Sequence, residues 1–326
     1  MTPDAEEVLA WEAANRGRAG AAALAASALT ILGVILTTVG QPGASEFDDR
    51  IVSVVDAMSR AAAGEPIPPG RISAFAVDVG QHPTVPIVGA ILYGLGSLAI
   101  YFAIAYLFQA TRARRPGMQQ IALLLAAIGA VGFGVGRAVA EVARYLGARD
   151  FVDAADKTNS AATDALSPTA TLVGQLIWET SALALGFAIA MISLNAMRVG
   201  LLSRFMGVLG VIVGVAVAPI LPIDQQGIIR VFWLAALGML ILGRWPSGTP
   251  KAWVTGEAEP WPTQQQLREQ REAARAERDG RAASSGPGAS KAKTPPPAAP
   301  SPRRPDPAAA GSEHSASKKK KRKRRS

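Results

Sequence analysis

The chain contains no cysteine and only two histidines. Without cysteine it can form neither disulfides nor thiolate metal sites, so packing alone must stabilise its loops. His82 lies in the segment GQHPTVP and His314 lies near the C-terminus, so neither falls inside a long apolar run. An H-E-x-x-H zinc site is therefore absent, as is a Ser-His arrangement within such a run. We expect no metal and no cofactor.

Acidic residues are also scarce inside the apolar runs, and no aspartate lies deep within one. An aspartyl intramembrane protease needs two such carboxylates, because one acts as the acid and the other as the base. Glu179 does lie inside an apolar run, but its nearest acidic candidate, Glu141, has two arginines beside it. The sequence therefore predicts a protein that is not an enzyme.

Apolar residues make up 49% of the 326 residues, and they are gathered into long runs. A helix needs about 17 to 25 residues to cross the hydrocarbon core of a bilayer. The predicted fold class is therefore all-α, a polytopic transmembrane helical bundle of about six spans within residues 20–244. The last two spans are short, and the segment APILPIDQQG between them could instead make them a re-entrant hairpin. The predicted spans are residues 20–40, 86–109, 119–140, 170–195, 205–221 and 227–244.

The N-terminal segment, residues 1–19, carries both acidic and basic side chains. The apolar run that follows it is about 20 residues long, which exceeds the usual apolar region of a signal peptide. We therefore interpret this run as a retained anchor behind a cytoplasmic N-terminal segment.

The orientation follows from the arginines of the short loops, because cytoplasmic loops carry an excess of Lys and Arg. TRARRPG joins the second and third spans and MRVGLLSR joins the fourth and fifth, so both should face the cytoplasm. The loops at 41–85 and 141–169 are longer and more acidic, and should face outward. With six spans, both termini are cytoplasmic. The bias toward Ala, Gly and Arg suits a GC-rich bacterial genome, and hence a bacterial plasma membrane.

The first outer loop contains SEFDDRIVSVVDAMSRAAAG, in which apolar residues recur at helical spacing. Ser45 is suited to cap the start of a helix and Gly64 to end it. We predict a short amphipathic helix that packs over the bundle without a ligand. The proline-rich GEPIPPGRISAF then returns the chain to the second span.

Charged residues within the predicted spans are the candidate functional residues. Arg137 lies about 24 Å above the inner edge of its span at 1.5 Å per residue, and Glu179 lies about 10 Å below the outer edge of the next span. By the same count, Arg230 lies about 12 Å below the outer edge. Arg137, Glu141 and Arg144 also share one helical face. The sequence predicts that Glu179 pairs with Arg230 or Arg137.

Two interpretations of these charges remain open. An ionised side chain at a span centre costs about 2.5 to 3.5 kcal/mol on insertion scales, so charged residues usually pair inside the bundle. Alternatively, both arginines could extend to the headgroups and leave Glu179 protonated. A functional site would be open outward and would bind an ion, a proton or a small anion. Its candidate residues are Arg137, Glu141, Glu179 and Arg230.

Glycines within two spans predict close helix contacts. Gly132 and Gly136 form a G-x-x-x-G face, as do Gly210 and Gly214. Such faces also permit a helix-mediated oligomer. They do not form a phosphate-binding loop, because no strand precedes them and no Lys-Ser/Thr pair follows them.

The positive net charge of the chain, +9, comes from its C-terminal part. We predict that residues 245–281 form a cytoplasmic charged segment with a solvated helix. Residues 282–326 have too few large apolar side chains to fold, so we expect them to be disordered. A cytoplasmic basic cluster attracts anionic lipid headgroups. Nucleic acid would attract the same charges, but proximity to the bilayer disfavours it as a partner. The cluster at the C-terminus consists of Lys318, Lys319, Lys320, Lys321, Arg322, Lys323, Arg324 and Arg325.

The stretch NAMRVGLLSRFMGVLGVIVGV, followed by a final span that ends in LGRWPSGTPKAW, resembles uncharacterised bacterial multi-pass integral membrane proteins. The resemblance covers about residues 170–262 and rests on packing motifs. It implies an integral membrane protein and no particular activity.

Two functional classes follow from these features. In the first, the protein binds or relays a small charged species at the charges of the outer leaflet. In the second, it is a non-catalytic membrane anchor or assembly protein whose basic tail binds anionic lipid or nucleic acid. The sequence shows no internal three-plus-three repeat of the kind found in many secondary transporters.

Overall fold

The computed structural model describes residues 4–39, 54–65, 70–218, 227–246, 248–262 and 264–284. Over these residues the chain forms helices and no strands, which confirms the all-α prediction. The helices are α1 (Ala5–Val39), α2 (Val54–Ala62), α3 (Arg71–Gln81), α4 (Thr84–Arg114), α5 (Ile121–Val152), α6 (Asn159–Leu166), α7 (Thr169–Arg198), α8 (Arg204–Val217), α9 (Ile228–Ile241), α10 (Ala252–Thr255) and α11 (Gln264–Ser284).

Four helices, α1, α4, α5 and α7, are long and apolar enough to cross a membrane. The shortest of the four has 30 residues and is therefore about 45 Å long, which exceeds a hydrocarbon core of about 30 Å. The helices α8 and α9 are apolar but have only 14 residues each, or about 21 Å. The predicted last two spans thus correspond to helices shorter than the core, and residues 219–226 between them lie outside the described residues.

The first long helix begins earlier than the sequence predicted. Residues 1–19 were expected to form a separate cytoplasmic segment, yet α1 starts at Ala5 and continues through the apolar run without a break. Glu6 and Glu7 lie in its first turn, where negative charge favours the helix dipole. Val8 and Glu12 are buried, so the charged beginning of this helix packs against the rest of the chain.

Glycines allow the long helices to approach each other closely, as predicted. A Cβ atom on Gly136 of α5 would lie 2.5 Å from the backbone nitrogen of Trp178 in α7. In the same interface, a Cβ atom on Gly174 would lie 2.6 Å from the backbone nitrogen of Ala140. Gly214 of α8 meets the carbonyl of Gly186 in the same way. Since any side chain at these positions would clash with backbone atoms, the glycine faces pack within the chain itself.

Short helices cover one end of α5. Phe151 packs with Ala76 of α3 and Ala162 of α6 in a small apolar cluster. The Ser73 hydroxyl donates to the Lys157 carbonyl at 2.7 Å, and Lys157 donates to the carbonyls of the last turn of α5. A cation at a helix C-terminus satisfies its last carbonyls and its dipole. The two predicted outer loops therefore contain more helix than expected, since α3, α6 and the end of α5 lie in them.

The predicted amphipathic helix of the first outer loop is described from Val54 onward, and it ends before Gly64, which has a φ of 72°. Val55 and Met58 on it are exposed. The predicted cap, Ser45, lies outside the described residues.

The segment after α9 packs against the end of the bundle that holds the predicted cytoplasmic loops. The indole nitrogen of Trp253 donates to the Leu201 carbonyl at 2.8 Å, and that of Trp261 donates to the Leu202 carbonyl at 2.8 Å. The chain then divides into two compact units at residue 263, so the first part of the predicted segment 245–281 belongs to the bundle. In the second unit, α11 exposes its described side chains. The basic cluster at 318–325 lies outside the described residues.

Candidate functional site

Arg137 of α5 lies between two aromatic rings from neighbouring helices. Its guanidinium carbon is 4.6 Å from the ring centroid of Trp178 in α7 and 5.6 Å from that of Tyr93 in α4. Both distances lie within the range of cation–π attraction, which is about 6 Å. The close approach at Gly136 brings α7 near enough for this contact. Three helices therefore hold one guanidinium in place.

Arg230 of α9 contacts the same tyrosine. Its guanidinium carbon is 5.4 Å from the Tyr93 ring centroid and 5.1 Å from that of Phe133, and its Nη2 donates to the Tyr93 hydroxyl at 2.7 Å. The side chain is buried. Gly227 caps the start of α9 with a φ of 74°, and a Cβ atom there would lie 2.6 Å from the guanidinium. The positive φ therefore favours glycine at this position, and a larger residue would also displace the end of the arginine side chain.

Glu141 is buried one turn beyond Arg137 and pairs with two arginines. Its Oε1 is 3.1 Å from Arg137 Nη2, and its Oε2 is 3.3 Å from Arg144 Nη1. The predicted common face of these three residues is thereby confirmed. The arginine side chains are 30% and 37% exposed, whereas that of Glu141 is 6% exposed. The buried carboxylate of Glu141 therefore pairs with two arginine side chains that are each about one third exposed.

We refer to these seven side chains together as the arginine–aromatic cluster: Tyr93, Phe133, Arg137, Glu141, Arg144, Trp178 and Arg230. The cluster holds three arginines and one glutamate, a formal charge of three minus one, or +2. The structure brings Arg137 and Arg230 to the same tyrosine, as their predicted depths indicated, and places Glu141 beside Arg137. The indole nitrogen of Trp178 is buried and has no acceptor among the described residues.

Glu179 was predicted to pair with one of these arginines, but it lies outside the cluster. It follows Trp178 directly, and consecutive residues of a helix point about 100° apart at 3.6 residues per turn. Because Trp178 faces Arg137, Glu179 points away from that guanidinium, and its side chain is half-buried. Its Oε1 accepts a hydrogen bond from the Gln175 amide at 3.0 Å. The predicted ion pair of Glu179 with Arg230 or Arg137 is therefore wrong.

Sequence reasoning missed the aromatic members of the cluster. Tyr93, Phe133 and Trp178 lie in apolar runs, where an aromatic residue has no distinctive signal. The available signal was their shared depth with Arg137. That signal becomes specific only when the facing helices are known.

A second buried ion pair lies at the opposite end of α4, and the sequence did not predict it. Arg114 donates to both carboxylate oxygens of Glu12 from α1, with Nη2 at 3.2 Å from Oε2. The same Nη2 donates to the Ala252 carbonyl at 2.6 Å, and the guanidinium carbon lies 5.7 Å from the Trp253 ring centroid. The pair therefore links α1, α4 and α10. Arg114 had been used only to orient the chain, and Glu12 had been assigned to the N-terminal segment.

A cavity of about 630 Å³ lies near this second ion pair, between the first turns of α1 and the end of α4. Trp11 and Phe108 line it together with Arg112. Leu123, which also lines it, precedes Arg137 by 14 residues, or about 21 Å along α5. This cavity is therefore remote from the arginine–aromatic cluster.

Comparisons of the chain with protein-family models, with curated proteins and with solved structures find no match. The resemblance to bacterial multi-pass proteins therefore stays a prediction. Among the described residues, no group of three or more His, Asp or Glu side chains is arranged to hold a metal ion.

Proposed function

We propose that this chain is a membrane protein that binds a small anion, a carboxylate or inorganic phosphate, at the arginine–aromatic cluster from the outer side. The observation that carries the proposal is the arrangement around Arg137, whose side chain is 30% exposed and whose guanidinium lies between two aromatic rings. A guanidinium presents five N–H donors in a planar fork that matches carboxylate and phosphate groups.

The balance of charge also favours an anion. Arg137 and Arg144 share the single carboxylate of Glu141, so one positive charge of this trio is not neutralised within it. The electrostatic attraction of an anion is stronger here than in water, because the surrounding apolar helices lower the effective dielectric constant. A cation would meet repulsion from both arginines.

The buried indole N–H of Trp178 supplies a further donor. Buried donors in folded proteins nearly always have an acceptor, so one that lacks it among the described residues suits a ligand. An anion in contact with Arg137 could accept from this indole as well. The tryptophan would then serve both as a face for the guanidinium and as a hydrogen-bond donor.

We further propose that the protein is a multi-pass protein of a bacterial plasma membrane with six crossings and both termini in the cytoplasm. The arginines at the end of α4 and between α7 and α8 support this orientation through the positive-inside rule. The cluster then lies in the outer half of the bilayer. The carboxylate or phosphate would reach it from the external solution.

Anion binding can be measured on the purified protein in nanodiscs as the increase in midpoint temperature with acetate or inorganic phosphate, with chloride as the reference anion. We expect acetate or phosphate to stabilise the natural chain and to bind at least tenfold more weakly to Arg137→Gln and Arg144→Gln. Arg149→Gln is the matched control, because Arg149 is exposed on the same helix and removes the same charge. The affinity of Arg149→Gln for acetate or phosphate should equal that of the natural chain.

The Trp178→Phe variant tests the role of the indole donor, because it keeps an aromatic face but removes the N–H. We expect Trp178→Phe to bind the anion more weakly than the natural chain does. Any ligand-induced fluorescence change that comes from Trp178 in the natural chain should be missing from this variant. Equal anion affinity of the natural chain and folded Arg137→Gln would refute the proposed site, as would the absence of binding by either anion. Circular dichroism and monodispersity verify that each variant is folded.

A further inference from the structure

Five residues form a regular row along one side of α7. These positions follow each other at intervals of four, three, four and four residues. Four of them are large, exposed apolar residues, and the fifth, in the middle, is Glu179, which is half-buried. We call this row the α7 seam: Leu172, Leu176, Glu179, Leu183 and Phe187.

Two polar side chains occupy the middle of this apolar surface. Gln175 lies beside the seam and donates to Glu179 at 3.0 Å. Its amide has a second N–H and a carbonyl, and the carboxyl group has a second oxygen, so each side chain can form further hydrogen bonds. Lipid tails provide neither donors nor acceptors for them. The ion pairs of the described residues do not include Glu179.

The headgroups are too distant to satisfy Glu179. Its Cα lies about 10 Å below the outer edge of the hydrocarbon core, counted from Leu172 at 1.5 Å per residue. Lys and Arg reach the interface with their long stems, but a glutamate side chain is shorter. Facing lipid, a charged carboxylate at a span centre would cost about 2.5 to 3.5 kcal/mol on insertion scales. A protein surface that supplies hydrogen-bond donors at this depth would remove that cost.

We propose that the α7 seam is the interface between two copies of this chain, related by a two-fold axis along the membrane normal. Such an axis places each residue at the same depth as its counterpart in the other copy. Gln175 of one copy then lies one helical turn, about 6 Å, from the level of Glu179 in the other. Its amide can donate to the carboxyl oxygen that the first copy leaves unused.

The spacing of the seam fits a helix pair. Its first three intervals, of four, three and four residues, are the pattern by which two helices pack at a left-handed crossing of about 20°, and Phe187 lies one residue beyond the strict repeat. The seam extends from residue 172 to residue 187, a rise of about 22 Å, which is most of the hydrocarbon thickness. A polar residue at one seam position typically fixes register and partner, because its hydrogen bonds form in only one alignment. In the α7 seam, Glu179 is the polar residue that would fix the register of the two helices.

The glycine faces do not compete with the α7 seam for a second copy. Gly132 and Gly136 of α5 already contact Ser181 and Trp178 of α7 within the chain. Helix contacts between copies must therefore use another surface. The α7 seam is exposed and holds polar groups whose hydrogen bonds a second copy can complete.

The absence of cysteine allows a direct test by single-cysteine cross-linking in membranes. Leu183→Cys lies in the seam one turn from Glu179, and Ile128→Cys on α5 is the matched control because Ile128 is at least as exposed as Leu183 but lies off the seam. We expect mild oxidation to give a covalent dimer with Leu183→Cys, and at least tenfold less with Ile128→Cys. Adding Glu179→Leu or Gln175→Leu to Leu183→Cys should reduce the dimer severalfold.

Energy transfer between labelled copies in liposomes of decreasing protein density provides a second measurement that needs no cysteine in the seam. Glu179→Leu should shift the dissociation to at least tenfold higher density. Equal dimer yields from Leu183→Cys and Ile128→Cys would overturn the proposal, and so would a Glu179→Leu variant that dimerises like the natural chain. A cross-linked product with the mass of another protein would also overturn it in favour of a different partner.

Discussion

The ion pair between Glu12 and Arg114 provides the sharpest test of how this fold is held together. The side chains are 5% and 0% exposed, so removing one partner leaves a buried charge without its counter-ion. Glu12→Gln keeps the size of the side chain and one acceptor oxygen but removes the negative charge. Breaking a buried pair in this way typically costs about 3 to 5 kcal/mol. We expect Glu12→Gln to lose about that much stability.

Removing both charges should cost less than removing one. In the double variant Glu12→Leu with Arg114→Met, no charge is left buried, and replacement of a buried pair by apolar residues is often neutral. The Ala252 carbonyl loses the donor that it had at 2.6 Å, which costs about 1 to 3 kcal/mol for a buried acceptor. The double variant should therefore be at least as stable as Glu12→Gln alone.

The measurement is reversible unfolding in mixed micelles with an increasing fraction of denaturing detergent, followed by tryptophan fluorescence. Trp253 lies against Arg114, so its emission also reports on the segment that the pair fastens. Arg115→Gln is the matched control: this neighbouring arginine is exposed, and we expect a change within about 0.5 kcal/mol. A double variant less stable than Glu12→Gln, or a Glu12→Gln variant as stable as the natural chain, would refute the reasoning.

Three further predictions concern packing, topology and the tail. Gly136→Ala places a methyl group 2.5 Å from a backbone nitrogen and should destabilise the bundle by about 1 to 3 kcal/mol in the same unfolding assay. Gly17→Ala is the contrasting variant: a Cβ atom there has nothing within 4 Å, so this change should stabilise α1 by about 0.5 to 1 kcal/mol. Reporters fused after Arg115 should read cytoplasmic and near Asp156 external; a cytoplasmic reading at Asp156 would contradict the orientation. Deleting residues 285–326 should leave the bundle folded, and the isolated tail should bind anionic vesicles in a salt-sensitive way; salt-independent binding to neutral vesicles would exclude the electrostatic account.

The fold class could be predicted because the length of an apolar run is a local property of the sequence. The ends of the helices were harder to predict, since charged residues continue a helix when tertiary contacts bury them. The start of α1 shows this: Glu12 reads as a residue of a solvated segment until Arg114 is found beside it. Similarly, α3 follows a proline-rich segment and is held by contacts with α5 and α6 that are distant in sequence.

The candidate site could be predicted in depth but not in direction. Depth follows from the helical rise alone, and it correctly placed Arg137 and Arg230 at one level, where both contact Tyr93. Direction depends on which faces of two helices oppose each other. A rotation of one residue, about 100°, separates Trp178 in the cluster from Glu179 on the exposed seam. The sequence contains no local signal for that rotation, because α7 is apolar on nearly all sides.

Both ends of the bundle hold arginine in an apolar environment, but the ratio of arginine to glutamate differs between them. Each uses a guanidinium against aromatic rings together with a buried glutamate. At Arg114 the charges balance one to one and both side chains are inaccessible, so the pair can only fasten helices to each other. At Arg137 one carboxylate serves two arginines that remain about one third exposed. A purely structural pair gains nothing from an excess accessible charge, and such a charge is costly in a bilayer. That difference is the reason for placing the proposed ligand at the arginine–aromatic cluster and giving the pair of Glu12 and Arg114 a structural role.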